Sequence, residues 1–67
     1  MRMISQWIPC SERLPEKNMS VLASFAHGTV TELLFIDGDF HGVYGTYTTK
    51  VIDAWMPLPE PYKERTK

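Results

Sequence analysis

Cys10, His27, His41 and Asp53 are the residues from which a nucleophilic dyad or triad could be assembled: a thiol to attack, an imidazole to take its proton and a carboxylate to orient the ring. None of them stands in a recognisable catalytic motif. Cys10 directly follows Trp7-Ile8-Pro9, where a free cysteine serves as a small buried hydrophobe rather than a nucleophile. The two histidines have no spacing that defines a metal site, and Asp37-Gly38-Asp39 lacks the remaining ligands of a calcium loop, so it reads as a turn. The expectation is a protein that is not an enzyme and uses neither metal nor cofactor.

Chemistry of another kind is written in 41–49, where His41, Tyr44 and Tyr47 alternate with Gly and Thr. Tyr supplies large contact area at low entropy cost and Gly permits close approach, a composition suited to a recognition loop. The plain alternative is a polar hairpin with tyrosines at its rim. We take His41, Tyr44 and Tyr47 as the candidate partner-binding residues. Stacking of single-stranded nucleic acid on Phe25, Phe35, Phe40, Tyr44 and Tyr47 is the rival use of these aromatics. Charge weighs against it: Lys50 is the one basic residue within the expected sheet, beside Glu32, Asp37, Asp39 and Asp53. Over the whole chain 7 basic and 8 acidic residues leave a net charge of −1, with no general attraction to phosphate or anionic lipid.

The elements that must position these residues are strands. The pattern predicts a mainly β fold, a small antiparallel meander of about four strands over 21–26, 29–36, 39–44 and 51–56. His27-Gly28 reads as a two-residue hairpin loop, and Asp37-Gly38 is a strong turn signal. Ser11 to Leu14 supports one helical turn at most before Pro15. At the far end Asp53-Ala54-Trp55-Met56-Pro57-Leu58-Pro59-Glu60-Pro61 brings a large aromatic and then three prolines at alternate positions, which enforce an extended strap. Trp7-Ile8-Pro9 and Leu14-Pro15-Glu16 echo it. The two stretches form a pair of clasps, one at each end of a single domain over 1–67, with 62–67 as a fraying tail. The expected core is Trp7, Ile8, Leu14, Val21, Phe25, Leu34, Phe40, Val51, Trp55 and Leu58.

At 67 residues only about 60% of the unfolded surface can be buried. A single cysteine allows no internal disulfide, so stability rests on the aromatics, the stiffened ends or self-association. A homodimer through an edge strand is the form expected for the last. The first residues contain no apolar signal-type stretch, no run is long enough for a membrane span, and a free thiol suits the reducing cytoplasm.

Trp7-Ile8-Pro9-Cys10-Ser11-Glu12-Arg13-Leu14-Pro15-Glu16 at the start and Trp55-Met56-Pro57-Leu58-Pro59-Glu60-Pro61 at the end, with Phe40 in a glycine-containing β middle, give the chain its resemblance. It resembles a family of short proteins from tailed bacteriophages and prophages, the domain of unknown function numbered five-five-one. The likeness covers nearly the whole chain. It departs at Ala54, where the family pattern has a histidine before the tryptophan. The resemblance implies a phage or prophage origin and supplies no activity. Taken with the residues, it leads to the expectation of a small accessory protein acting in the host cytoplasm by non-enzymatic binding of a host protein, a defence or regulatory component. The alternative is a small β-sheet binder of single-stranded nucleic acid.

Overall fold

The computed structural model describes residues 6–59. Six strands form one antiparallel sheet: β1 (Ile8–Pro9), β2 (Met19–Phe25), β3 (Val30–Ile36), β4 (Asp39–Gly42), β5 (Gly45–Tyr47) and β6 (Ile52–Pro57). Their spatial order is β1-β6-β2-β3-β4-β5, so β2 to β5 run as a meander and β6 returns to pair with the outer side of β2. No helix occurs among the described residues. Cys10 to Glu12 make the one turn the sequence allows, with the amides of Glu12 and Arg13 both donating to the Pro9 carbonyl. The expected tail lies outside the described residues.

The expected meander is extended by two short strands, and each has a local cause. Asp37 and Gly38 both take positive φ, 51° and 95°, the signature of a type I′ turn whose twist matches the flanking strands. Asn18 Oδ1 accepts from the Asp37 amide at 3.1 Å and ties that turn to the segment entering β2. At the other hairpin the loop spans Ala26 to Gly28 and is one residue longer than expected, because the Phe25 amide pairs with the Thr29 carbonyl; Gly28 supplies φ 107°. The third expected strand stops at Gly42. Val43 and Tyr44 form a turn, and the chain returns as β5.

Val21, Ala23, Phe25, Leu33, Phe35, Phe40, Ile52 and Trp55 make the buried core, with Ile8, Cys10, Leu14, Met19 and Tyr47 packed around it. Three expected core members are corrected. Leu34 is 40% exposed and Leu33 is buried in its place, because Val21 lies opposite Leu33 and carries that face of β3 inward. Both faces of the end of β3 are apolar, so the strand's own pattern leaves the choice to the register. Val51 is 40% exposed and Ile52 is buried instead. The register between β2 and β6 shifts from Ser24↔Ala54 to Phe25↔Ile52, leaving Asp53 as the extra residue of a bulge. That bulge puts Ile52 and Trp55 on one face although they stand three apart. Leu58 lies beyond β6 and is exposed. Trp7 is half-buried.

The two clasps do not cap opposite ends of the domain as expected; they meet. Ile8 pairs with Trp55 and Pro9 with Ala54, and the Cys10 amide donates to the Asp53 carbonyl at 2.8 Å. Residues after Cys10 then pass beside Trp55, whose indole Nε1–H donates to the Arg13 carbonyl at 2.9 Å across 42 positions of sequence. Pro57 closes β6 opposite Val21, beyond the short reach of β1, so its missing N–H leaves no partner unpaired on the β1 side.

Curvature completes the enclosure. Phe25 and Tyr47 stand on strands three places apart, which a flat sheet would separate by ~14 Å, yet their rings meet edge-to-face with centroids 5.0 Å apart. Gly42 leaves room for Leu33 in the same layer: a Cβ there would lie 2.6 Å from Leu33 Cδ2.

Two stability predictions follow from this packing. Replacing Trp55 by Ala should cost about 3–5 kcal/mol, a large part of the total for a domain this small, whereas Trp55→Phe should lose the hydrogen bond at about 1 kcal/mol beyond the lost area. Urea unfolding followed by circular dichroism reads both, and an unshifted Trp55→Ala midpoint would remove the clasp from the core. Gly42→Ala should destabilise by about 1–3 kcal/mol, with the penalty relieved on a Leu33→Ala background; additivity in that double-mutant cycle would show that the close approach does not matter.

Candidate functional site

The four residues with nucleophile chemistry are spread over separate elements. Cys10 and Asp53 are neighbours through the β1–β6 ladder and line one cleft with Ser11, Thr49 and Ile52. No histidine lines it. His27 sits in the β2–β3 loop, stacked on Phe25 at 5.2 Å with its Nδ1 3.3 Å from the Thr29 hydroxyl. His41 is on β4, with Nδ1 3.2 Å from the Thr46 hydroxyl. Burial, and secondarily the Asp53 carboxylate, push the Cys10 thiol above its ordinary value, the opposite of what activates a nucleophile. Among the described residues no group of three or more His, Cys, Asp or Glu gathers at metal-binding distance.

The tyrosine-rich segment divides into two environments. Tyr47 turns inward and packs on Phe25, so it is a rim member of the core. Tyr44, with Val43, forms the tip of the β4–β5 hairpin, and the two are 92% and 93% exposed. Asp37 is the one non-glycine residue with positive φ among the described residues, so Val43 and Tyr44 make the reversal at negative φ and Gly45 takes the unusual angle of 152°. His41 lies half-buried at the base of this hairpin, paired with Thr46 and with Leu34.

From the tip, a surface continues over the side of the sheet facing away from the core. Register places Leu22 beside Met56 and Glu32, Leu34 beside Ser20 and His41, Val30 beside Ser24, and Ile36 beside Asp39 on that face. Val30 is 51% exposed. The site residues named from sequence therefore belong to one hairpin, but the aliphatic face beside them escaped sequence reasoning. The signal was present in the two-sided apolar character of β3, which could not say which side was core.

The family model described as a protein of unknown function (DUF551) matches residues 6–63. The chain belongs to this family. An uncharacterized 7.8 kDa protein of the ral–gp17 intergenic region of Salmonella phage P22 is 33% identical over an alignment covering 88% of this chain and 98% of that protein. No solved structure matches the chain at a significant level. The fold above therefore places the DUF551 terminal motifs side by side, in β1 with its following turn and in β6. Ala54, directly before Trp55, pairs with Pro9 and with Ser24.

The thiol chemistry is open to a direct check. The folded protein should react with iodoacetamide more slowly than the unfolded chain at pH 8 to 9, and Asp53→Asn should speed the reaction by removing the lesser of the two causes. Because the folded thiol holds its proton to higher pH than the unfolded one, its contribution to stability is present below the unfolded pKa and is lost as pH rises through the folded value. A native rate equal to the unfolded rate would contradict this environment for Cys10.

Proposed function

We propose that this DUF551 protein acts in the host cytoplasm by binding a host protein, a component of a defence or regulatory system, and that it does so without catalysis. Val43 and Tyr44 at the β4–β5 turn are the part that enters the partner. The observation carrying this reading is their near-complete exposure at a tight turn, a place ordinarily given to Asn, Asp and Gly. Scattered single hydrophobic residues on a surface need no explanation. Here a Val-Tyr pair is held out by its own hairpin and continues into exposed Leu34 and Val30. Tyr at the end of a rigid support is an efficient anchor, since it carries large area at the cost of two side-chain torsions.

A non-catalytic role is supported by the separation of Cys10 from both histidine environments and by its raised thiol pKa. The nucleic-acid alternative loses its platform, because of the five aromatics named for it Phe25, Phe35 and Phe40 face the core, Tyr47 packs at its rim and Tyr44 alone is exposed. A second copy is the weaker occupant of the edges: β5 offers three residues for pairing and β1 two.

Tagged full-length protein and its Tyr44→Ala variant should be compared by capture from bacterial lysate and mass spectrometry. Tyr44 packs on nothing buried, so the variant should keep parental stability within about 0.5 kcal/mol. One host protein should be enriched by the parent and depleted at least about tenfold by the variant, a loss typical of a hot-spot aromatic. Equal capture by both would take the assignment away from the hairpin tip, and recovery of nuclease-sensitive material alone would replace the class.

A further inference from the structure

We infer that the outward face of the sheet docks a cationic and aliphatic segment of the partner, one that alternates Lys or Arg with residues such as Val or Leu; the inference rests on the host-binding reading above. Its floor is Leu22, Met56, Leu34 and Val30, set in adjacent rows by the pairings of β2 with β6 and β3. Glu32 lies in the same row as Leu22 and borders one shallow depression with Ser20, Leu34, His41 and Val43, which joins the face to the hairpin tip. Asp39 closes the next corner opposite Ile36.

The charges choose the occupant. Glu32 and Asp39 are the charged residues that register places on this face, and both are acidic. The cations among the described residues stand elsewhere: Arg13 and Lys17 line the groove beside Trp55, and Lys50 is in the turn before β6. A segment arriving here meets an aliphatic floor bordered by carboxylates, and no lysine or arginine of the described residues stands on this face to neutralise them. Basic side chains with long aliphatic stems satisfy both parts at once. A second copy meeting this face with its own would set carboxylates against carboxylates, and a phosphate backbone would meet the same repulsion.

The test uses isotope-labelled full-length protein titrated with two synthetic probe peptides of equal length, one alternating Lys and Val and the other Glu and Val. The Lys/Val peptide should shift the amides of Ser20, Leu22, Glu32, Leu34 and His41, leave those of the Trp55 groove unmoved, and weaken with salt; the Glu/Val peptide should not bind. In the Glu32→Lys/Asp39→Lys variant the preference should invert, with the Lys/Val peptide losing about tenfold or more for two rim pairs. Inversion is a readout that loss of folding cannot produce. Equal binding of both peptides, shifts confined to Arg13 and Lys17, or a dimer in sedimentation that Leu34→Asp disperses would each overturn the inference, the last by giving the face to a second copy. Lysate capture separates the two readings: a host protein lost by Tyr44→Ala but kept by the charge-reversed variant sinks the docking face and leaves host binding standing.

Discussion

The hydrogen bond from the Trp55 indole to the Arg13 carbonyl is the point on which the small core closes. A buried indole N–H left without an acceptor costs as much as the burial of several methylenes gains, so a tryptophan in so thin a core needs a backbone carbonyl brought to it. The chain brings one by laying its first clasp beside its last. β1 pairs with β6 for only two residues, enough to aim the following turn, and that turn delivers the Arg13 carbonyl while Leu14 packs on the core and Pro15 is buried. The prolines on both sides contribute by limiting the unfolded ensemble and by ending the ladder where it must end.

Enclosing the core on one face leaves the other outside it. Among the described residues no helix lies over the sheet, so curvature and a loop must shield its apolar side. Here the coil between β2 and β5 and the clasp segment do so, with Gly42 giving the closest approach. The outward face carries Leu22, Leu34, Val30 and Met56. Of these, Val30 and Leu34 are exposed while Leu22 and Met56 are half-buried. The hairpin of β4 and β5 works in the same sense, since it anchors Tyr47 in the core and spends Val43 and Tyr44 on solvent.

Sequence by itself determined the β class, four of the six strands, the Asp37-Gly38 turn and the terminal motifs, because each depends on chemistry local to a few residues. Asp37-Gly38 must reverse the chain at positive φ, Gly28 must do likewise, and the prolines after Trp55 end the last strand at Pro57. The terminal motifs were legible for the same reason and led to the family. Tertiary structure alone decided which way the strands face. β3 is apolar on both sides, so the inward choice of Leu33 over Leu34 came from its register with Val21; the bulge at Asp53, invisible to period-two counting, turned Ile52 inward in place of Val51. It also decided that the two clasps touch, and that Tyr44 and Tyr47, three positions apart in one polar stretch, have opposite fates. Contacts across 42 residues and coiling over three strand spacings are properties of the closed sheet, and no local pattern encodes them.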